Sequence, residues 1–412
     1  MAIRASMHAV GGSLLERLLA SDLGYQGPHV GCPRCGRQAA FVDYRSKDVV
    51  TVLSCIHVRR AYYLCAPCAA GVIPRDSELD IVSTSFSPGV RRLMARVGGK
   101  EAFDEGRRDL EELADIVVNT KAVERVSETI GEQIEQIALK ERRAALAGKI
   151  VSITPVPKMY VSMDGTGIPM VPLETRGRAG KDPSGNAKTR EAKLGCVFTQ
   201  TRLDEKGYPV RDPDTTTYVG AIETAELFGQ RIFAEAIRRG CRRAELLIIL
   251  GDGAAWIWNL ADLHFPGAIQ IVDLYHARQH ISDLAKLLYG VDTPKCKTWS
   301  KNRIAELDAG NIETLTAALA RLRPSSDTLK NEVRTTSAYF QTNAHRMRYA
   351  DFRRQGLFVG SGVIEAGCKT IIGQRLKHSG MRWTVRGANA IITLRCCDLS
   401  GRWETFWEAR AA

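Results

Sequence analysis

The order of apolar and polar residues divides the chain into a front part and a back part. Residues 1–28 predict a loosely organised arm with one short helical patch, SLLERLLA. The stretches AAFVDYRSKDVVTVL and IHVRRAYYL then alternate as half-buried strands do. From about residue 77 to 150 the pattern becomes helical, in short segments joined by tight turns.

The back part predicts strands that alternate with helices. It follows the segment ITPVPKM (153–159), whose two prolines are typical of a linker. A basic, glycine-rich stretch at 176–190 predicts a mobile loop, and residues 283–350 are nearly all helix-like and interrupt the strand pattern. The fold class expected is therefore multidomain α/β. The predicted segments are 1–28, 29–76, 77–150, 155–282, 283–350 and 351–412.

Composition and charge narrow the class of protein. The 412 residues are 44% hydrophobic and 25% charged, which is ordinary for a globular protein of two or three domains. The formal net charge of +12 suggests a polyanionic partner such as nucleic acid, although plain solubility would also explain it. We find no apolar run long enough for a membrane span and no signal-peptide pattern, so we expect a cytoplasmic protein without a membrane partner.

Eleven cysteines are too many for a disulfide framework in a reducing compartment, and some are expected to bind metal. CPRCG and YYLCAPC supply two CxxC pairs about thirty residues apart. Two such pairs complete a tetrahedral zinc site, which predicts a zinc ribbon. The alternative is four unrelated cysteines. Cys55 and His57 fall on a strand and are not expected ligands. The predicted zinc ligands are Cys32, Cys35, Cys65 and Cys68.

The helical segment at 77–150 fits a helix-turn-helix unit. Its last helix opens at Asn119-Thr120, a good capping sequence, and presents Lys121 and Arg125 to DNA. A generic helical bundle fits almost as well.

Three acidic residues occupy unusual positions. Asp164 and Asp252 each end a predicted buried strand, and polar residues at the carboxyl ends of strands are where sites gather in α/β sheets. Glu365 borders the apolar stripe formed by Ile364, Cys368, Ile371, Ile372 and Leu376 of a predicted helix. Taken alone, each Asp-Gly is a dipeptide that favours a turn. Glu365 could form an ion pair with Lys369 one helical turn later.

Taken together, the three acids predict a cation site. Converging carboxylates repel one another unless divalent cations hold them, and their hard oxygens suit Mg²⁺ or Mn²⁺. Two such ions can activate a nucleophile and stabilise a leaving oxygen, so a phosphodiester is the expected substrate. Other chemistries have less support: HARQH lacks the glutamate of a zinc protease, and a glycosidase would leave the front part without a role.

The same residues resemble the ISKra family of bacterial DDE insertion-sequence transposases, which is related to the Mutator-like group. The resemblance rests on CPRCG with RRAYYLCAPC, SMDGTGIPM, GDGAAWIWN, DLYHARQH, the long block YFQTNAHRMRYADFRRQGLFVGSGVIEAGCKTIIGQRLKHSGMRW, and RGANAIITLRCCDLSGRWETFW. It implies a ribonuclease-H-like catalytic domain with a helical insertion between its second and third acids. The gap between Asp252 and Glu365 matches that insertion.

The resemblance also implies roles for particular residues. Asp164, Asp252 and Glu365 would bind the catalytic metal ions, with Asp273 and His276 in support. Trp299, in the insertion, could pack against an unstacked base, although a core role fits equally well. The residues expected to track phosphates are Lys369, Arg375, Lys377, His378 and Arg382.

The function expected from the resemblance is transposition. The chain would bind double-stranded element ends, cut them and join them to a target, as a homodimer or larger synaptic complex associated with the nucleoid. The alternatives are a ribonuclease-H-like nuclease without strand transfer and a catalytically inactive zinc-ribbon DNA-binding regulator.

Overall fold

The structure is a computed structural model that describes residues 2–150, 155–180 and 185–411. It is a mixed α/β chain that divides into two compact units, Met1–Ile130 and Gly131–Ala412. Part of the predicted linker (153–154) and part of the predicted basic loop (181–184) lie outside the described residues. Within the described ranges, no helix has both the length and the apolar character needed to cross a bilayer.

The first unit contains a four-stranded antiparallel sheet in the order β1-β2-β3-β4, as counted over the described residues. Its strands are β1 (His29–Gly31), β2 (Gln38–Val50), β3 (Cys55–Cys65) and β4 (Ala70–Val72). The helices that begin in this unit are α1 (Ala2–Ala20), α2 (Pro74–Glu78), α3 (Pro88–Lys100), α4 (Phe103–Ala114) and α5 (Thr120–Leu146). The division between the two units falls inside α5 and not at the predicted linker.

The N-terminal arm is more ordered than its sequence predicted. Helix α1 extends over nineteen residues, and Leu15 and Leu19 pack against an apolar cluster of Val49, Ile56, Val58 and Ile81. A methyl group added at Gly12 would lie 2.0 Å from Ser54 Oγ, so glycine allows the close approach. Glycines 11 and 12 lower the helix propensity that a sequence pattern registers, which explains why only the SLLERLLA patch was predicted.

Helices α3, α4 and α5 follow one another with short connections, as the helical pattern predicted. Asn119 Oδ1 accepts a hydrogen bond from the backbone N–H of Ala122 at 2.7 Å, which caps the start of α5. Ser127 Oγ donates to the Met94 carbonyl at 3.2 Å and holds α5 against α3. Lys121 and Arg125 are both exposed on α5, and Lys121 forms an ion pair with Glu124 at 2.7 Å.

The second unit contains a five-stranded mixed sheet in the order β11-β10-β5-β6-β9 among the described strands. Strands β5, β6 and β9 are antiparallel neighbours, whereas β10 and β11 run parallel to β5. Every residue of β6 from Ala192 to Gln200 is buried, as expected of a strand covered on both faces. The strands are β5 (Val156–Pro169), β6 (Thr189–Gln200), β7 (Arg202–Leu203), β8 (Pro209–Val210), β9 (Thr217–Ala221), β10 (Ala244–Gly251) and β11 (Ile269–Val272), of which β7 and β8 form a separate hairpin.

Helices connect and cover these strands, and the stretch after α9 is helical as predicted. They are α6 (Pro172–Thr175), α7 (Ala225–Arg238), α8 (Ala255–His264), α9 (Leu274–Tyr289), α10 (Pro294–Asp308), α11 (Ile312–Ala320), α12 (Asp327–Thr342), α13 (Tyr349–Arg354), α14 (Gly362–Gly367), α15 (Gln374–Leu376), α16 (Val385–Leu399) and α17 (Trp403–Ala411). Short 3₁₀ helices cover Cys241–Arg243 and Ala344–Arg346, and a π-helical turn covers Cys368–Gly373.

Candidate functional site

The four predicted zinc ligands lie together at one end of the first sheet. The sulfurs of Cys32 and Cys68 are 3.6 Å apart, and those of Cys35 and Cys65 are 3.5 Å apart. All four ligand atoms lie within 4.8 Å of one another. Cys55, which was not expected to bind, is exposed at the start of β3 and stands outside this cluster.

The donor set fits zinc. Burial raises the pKa of the Cys65 thiol to about 12 and also raises that of Cys68. Burial acts on Cys32 in the same direction, but backbone N–H groups of Arg34 and Cys35 lower its pKa to about 7. A cation among the four sulfurs would favour the thiolate form throughout. The chain can therefore hold a structural zinc ion with these four cysteines.

Asp164 and Asp252 occupy equivalent positions on neighbouring strands. Ser162 of β5 pairs with Leu250 of β10 in parallel register, and each aspartate follows its paired residue by two positions. The same holds one strand further along: Gly251 pairs with Val272, so Asp252 and Asp273 are also level. Since adjacent strands lie about 4.8 Å apart, the three aspartates lie side by side at the edge of the sheet where β10 and β11 end. The predicted strand end at Asp164 is wrong, because β5 continues past Asp164 to Pro169 and stays paired with β6.

Glu365 reaches this edge from a helix packed closely on the sheet. A methyl group added at Gly367 would lie 2.7 Å from the Tyr218 ring and 3.2 Å from Leu194, and Leu194 is the residue of β6 that pairs with Asp164. Only glycine lets α14 approach this closely. The helix thus holds Glu365 near the strand that carries Asp164.

The contacts of Glu365 differ from the helical ion pair with Lys369 that would have given it a purely structural role. Its Oε1 accepts a hydrogen bond from Ser361 Oγ at 3.1 Å, and its side chain is exposed. In the described part of the chain, no ion pair joins Glu365 to Lys369. The predicted apolar stripe is confirmed, with Ile364, Ile371, Ile372 and Leu376 buried and Cys368 half-buried.

Asp273 links the sheet edge to the segment before Glu365. One carboxylate oxygen caps α9 by accepting from the His276 backbone N–H, and the other accepts from the Ser361 N–H, both at 2.5 Å. The Asp273 N–H donates to the Gly251 carbonyl at 2.7 Å, directly before Asp252. Because Asp273 is buried, it acts as a brace that fixes the ends of β10, α9 and α14.

Helix α12 of the insertion contributes a residue that the sequence did not single out. Tyr339 Oη donates to the Asp252 carbonyl at 3.1 Å. Gly253 has φ +103° and lies against the Tyr339 ring, so a methyl group there would come within 2.5 Å of the ring. The ring also packs on His280, with centroids 4.2 Å apart. The turn that follows β10 is therefore held from the insertion.

Asp164 lies in the electrostatic field of the two other acids. Burial raises the pKa of Asp164, and repulsion from Asp252 and Glu365 raises it further, while hydrogen bonds from the Cys368 thiol and the Gly165 N–H oppose both. Burial and the neighbouring Asp164 raise the pKa of Cys368, so its thiol keeps the proton that it donates. The acids are less compact than the cysteines: among the described residues, only the four cysteines form a group of at least three candidate ligands within 4.8 Å.

The basic residues predicted near Glu365 divide into exposed and buried ones. Lys369, Lys377, His378 and Arg382 are exposed, and Lys377 Nζ donates to Thr166 Oγ1, two residues beyond Asp164, at 2.5 Å. Arg375 is buried, with its guanidinium 5.0 Å from the centre of the Trp383 ring. The expectation that Arg375 tracks phosphates is therefore corrected, because a side chain inside the core cannot reach a polyanion.

The predicted supporting histidine and tryptophan are also placed by the structure. His276 is exposed on α9, and its ring centre lies 5.0 Å from that of His280. Trp299 is half-buried on α10, with its ring centre 5.8 Å from that of Tyr289 and the Arg303 guanidinium 5.8 Å away.

The residues near the acids that sequence analysis missed differ in how far the sequence pattern could have revealed them. His280 ends the HARQH motif and lies one helical turn after His276, so helical spacing could have placed it on the same face. Tyr339 is 87 residues from Asp252 in sequence, and no local pattern connects the two. Cys368 was assigned only to the apolar stripe beside Glu365, and nothing in the sequence pattern singled out Ser361.

Comparisons with known proteins leave the family open. No family model matches the chain, and no curated protein matches it. Among solved structures, the Drosophila P element transposase strand transfer complex aligns over 82% of this chain and 85% of that chain, at 9% sequence identity and a TM-score of 0.25. At this score the superposition does not establish a common fold.

Proposed function

We propose that this chain is a DNA transposase whose metal-dependent site consists of Asp164, Asp252 and Glu365. The observation that carries the proposal is the strand register, which sets Asp164 and Asp252 level on adjacent parallel strands, with Glu365 on a helix packed beside them. Three antiparallel strands followed by two parallel ones, in this order, support a ribonuclease-H-like catalytic domain. The helical residues between α9 and α14 support the insertion that the resemblance implies.

The donor set at the sheet edge fits Mg²⁺ or Mn²⁺. Each of the three acids offers hard oxygen ligands, and the raised pKa of Asp164 reflects burial and repulsion that a divalent cation would relieve. Two ions bound there would supply Lewis-acid activation of the attacking and leaving oxygens of a phosphodiester. Asp164, Asp252 and Glu365 would hold them.

Other residues of the chain would position the three acids and contact the DNA. Asp273 keeps the Ser361 segment and the end of β10 in place, which fixes Glu365 relative to Asp252. Tyr339 orients the Asp252-Gly253 turn. Lys377, held beside Thr166, would meet a phosphate next to Asp164. Exposed Lys369, His378 and Arg382 would follow the DNA backbone away from the site.

The front part would recognise DNA. Lys121 and Arg125 are exposed on α5 and are available to phosphates or bases. The net charge of +12 favours a double-stranded DNA partner. The zinc ribbon would stabilise this region. Trp299, flanked by Tyr289 and Arg303, would pack on an unstacked base during the reaction.

The deciding experiment is strand transfer in vitro. The purified chain is incubated with Mg²⁺, supercoiled plasmid and a short DNA duplex that ends in a free 3′-hydroxyl. The duplex has the sequence of the DNA that flanks the gene for this chain. We expect joined product, and we expect Glu365→Gln to abolish it. Glu191→Gln is the matched control, because Glu191 is an exposed carboxylate on β6 near Gly165 that belongs to no proposed site.

The alternatives give different products. A nuclease would cut the duplex without joining it to plasmid. A catalytically inactive regulator would bind the duplex and leave it intact. Joining that survives Glu365→Gln would show that another residue is the third acid.

A further inference from the structure

Helix α1 exposes a continuous line of large apolar side chains. Ile3, Met7, Val10, Leu14 and Leu18 are 82%, 66%, 58%, 60% and 68% exposed. Their spacing of three or four residues places them on one face of the helix. We name this line the α1 seam.

The seam is separate from the face by which α1 docks. Leu15 and Leu19 pack on the first sheet, Gly11 lies against Leu53, and Glu16 Oε1 accepts from the His57 N–H at 2.6 Å. At the N-terminal end Arg4 forms an ion pair with Asp115. The helix is thus already anchored, and the seam is not needed to hold it. A helix that is apolar on two faces is normally covered on both.

The spacing identifies what covers the seam. Positions 3, 7, 10 and 14 follow the alternating four- and three-residue steps of a coiled-coil seam, and such a seam is complementary to a copy of itself. Ser6 and Ser13 flank one side of the seam, and Gly11 and Arg4 flank the other, with Arg4 paired to Asp115. The next three-residue step after Leu14 falls on Arg17, so the coiled-coil pattern covers two heptads and ends at a charge. A membrane-binding helix would instead carry many lysines and arginines beside its apolar face.

The exposed apolar area of the α1 seam is suitable for a reversible dimer. Five side chains that are more than half exposed present on the order of 500 Å² per copy, so pairing would bury about 1,000 Å², where specific interfaces begin. We propose that the α1 seam joins two copies of this chain through a two-helix contact between their α1 helices. This inference stands independently of the proposed catalytic function.

Sedimentation of the full chain tests the proposal. The protein is treated with nuclease and measured without DNA in high salt, because salt dissociates DNA-bridged copies and leaves an apolar contact intact. We expect a concentration-dependent dimer. Leu14→Glu should weaken its association about 100-fold, since it places a charge in each half of the seam. Leu263→Glu is the matched control, because Leu263 is 68% exposed on α8 and lies outside the seam.

Two further measurements make the result unambiguous. Circular dichroism and zinc content should be the same for wild type and Leu14→Glu, and Leu14→Ser should give an intermediate association constant if the charged variant misfolds. A monomeric wild type, or a Leu14→Glu variant that dimerises as well as Leu263→Glu, would overturn the proposal. Binding of monomeric wild type to phosphatidylcholine–phosphatidylglycerol vesicles would also overturn it, by showing that the seam meets a bilayer.

Discussion

The two candidate metal sites of this chain are built in opposite ways. Four sulfurs of the ribbon lie within 4.8 Å of one another and complete a tetrahedral donor set from two short turns. The three carboxylates come from two strands and a helix far apart in sequence, and they are aligned by strand register without forming an equally compact group. We call the four-cysteine cluster the closed site and the group of three carboxylates the open site.

The difference matches the two functions proposed for these sites. A structural zinc ion needs all its coordination positions filled by protein, whereas a catalytic site must leave positions for water and substrate. The ribbon holds its ligands by local turns. The acid site depends on braces from elsewhere, namely Asp273 between strand ends and Tyr339 from the insertion. Substitutions should therefore damage folding at the first site and chemistry at the second.

The largest effect is expected at the closed site. Cys65→Ser should reduce bound zinc from one ion per chain to none and lower the midpoint of thermal unfolding of the first unit by roughly 10 °C or more. Zinc analysis and calorimetry measure both, and a chelator should reproduce the effect in wild type. Cys55→Ser is the matched control and should keep the zinc. Unchanged zinc content in Cys65→Ser would refute the cluster.

At the open site the loss should be catalytic. Asp252→Asn should reduce the rate of strand transfer at least ~10³-fold, or about 4 kcal/mol of activation free energy, because a neutral amide is a poor ligand for Mg²⁺. Its thermal unfolding should stay close to that of wild type. A variant that retains wild-type activity would remove Asp252 from the site, whereas one that unfolds would show that the acid is structural.

A smaller effect is expected from the brace in the insertion. Tyr339→Phe removes one hydrogen bond to the Asp252 carbonyl and keeps the ring on Gly253 and His280, so we expect a 3- to 10-fold lower turnover, about 1 kcal/mol. Affinity for DNA should not change. Tyr275→Phe, at an exposed tyrosine of α9, serves as the control. A change in DNA affinity without a change in turnover would contradict the positioning role.

The smallest effect concerns stability and pH. The folded state raises the pKa of Asp164 above that of an unfolded aspartate. Between these two pKa values the folded protein holds a proton that the unfolded chain has released, so stability falls as the pH rises from the lower value to the higher one. Without divalent cations, Asp164→Asn should increase the free energy of unfolding at neutral pH and lose this advantage in acid, below the pKa of an unfolded aspartate. Urea denaturation at several pH values measures it. A destabilised variant at neutral pH would contradict the burial and repulsion inferred for Asp164.

Sequence reasoning succeeded where the determinants were local. The CxxC pairs predicted the ribbon cysteines because a short turn fixes both thiols. The buried strand before Asp252 was predicted from an apolar run followed by Asp-Gly, and β10 does end at Gly251. The same signal was wrong at Asp164, because β5 continues to Pro169 through its pairing with β6, which the local pattern does not reveal. The apolar stripe beside Glu365 follows from helical spacing.

It failed where distant residues decide the outcome. The burial of Arg375 depends on packing against Trp383, which helical periodicity does not reveal. The full length of α1 depends on docking that accommodates Gly11 and Gly12, against their low helix propensity. Tyr339 is part of the acid site only because the insertion folds back onto the turn after β10. The π-helical turn after Glu365 likewise has no signature in the residue pattern.

Binding of Mn²⁺, followed by electron paramagnetic resonance in the presence of the duplex and with zinc already bound, tests the acid site most directly. We expect wild type and Glu191→Gln to bind Mn²⁺ alike, and Asp164→Asn, Asp252→Asn and Glu365→Gln each to lose binding. Mn²⁺ binding that is unaffected by all three substitutions would contradict the account, because the carboxylates aligned by the sheet would then not be the ligands.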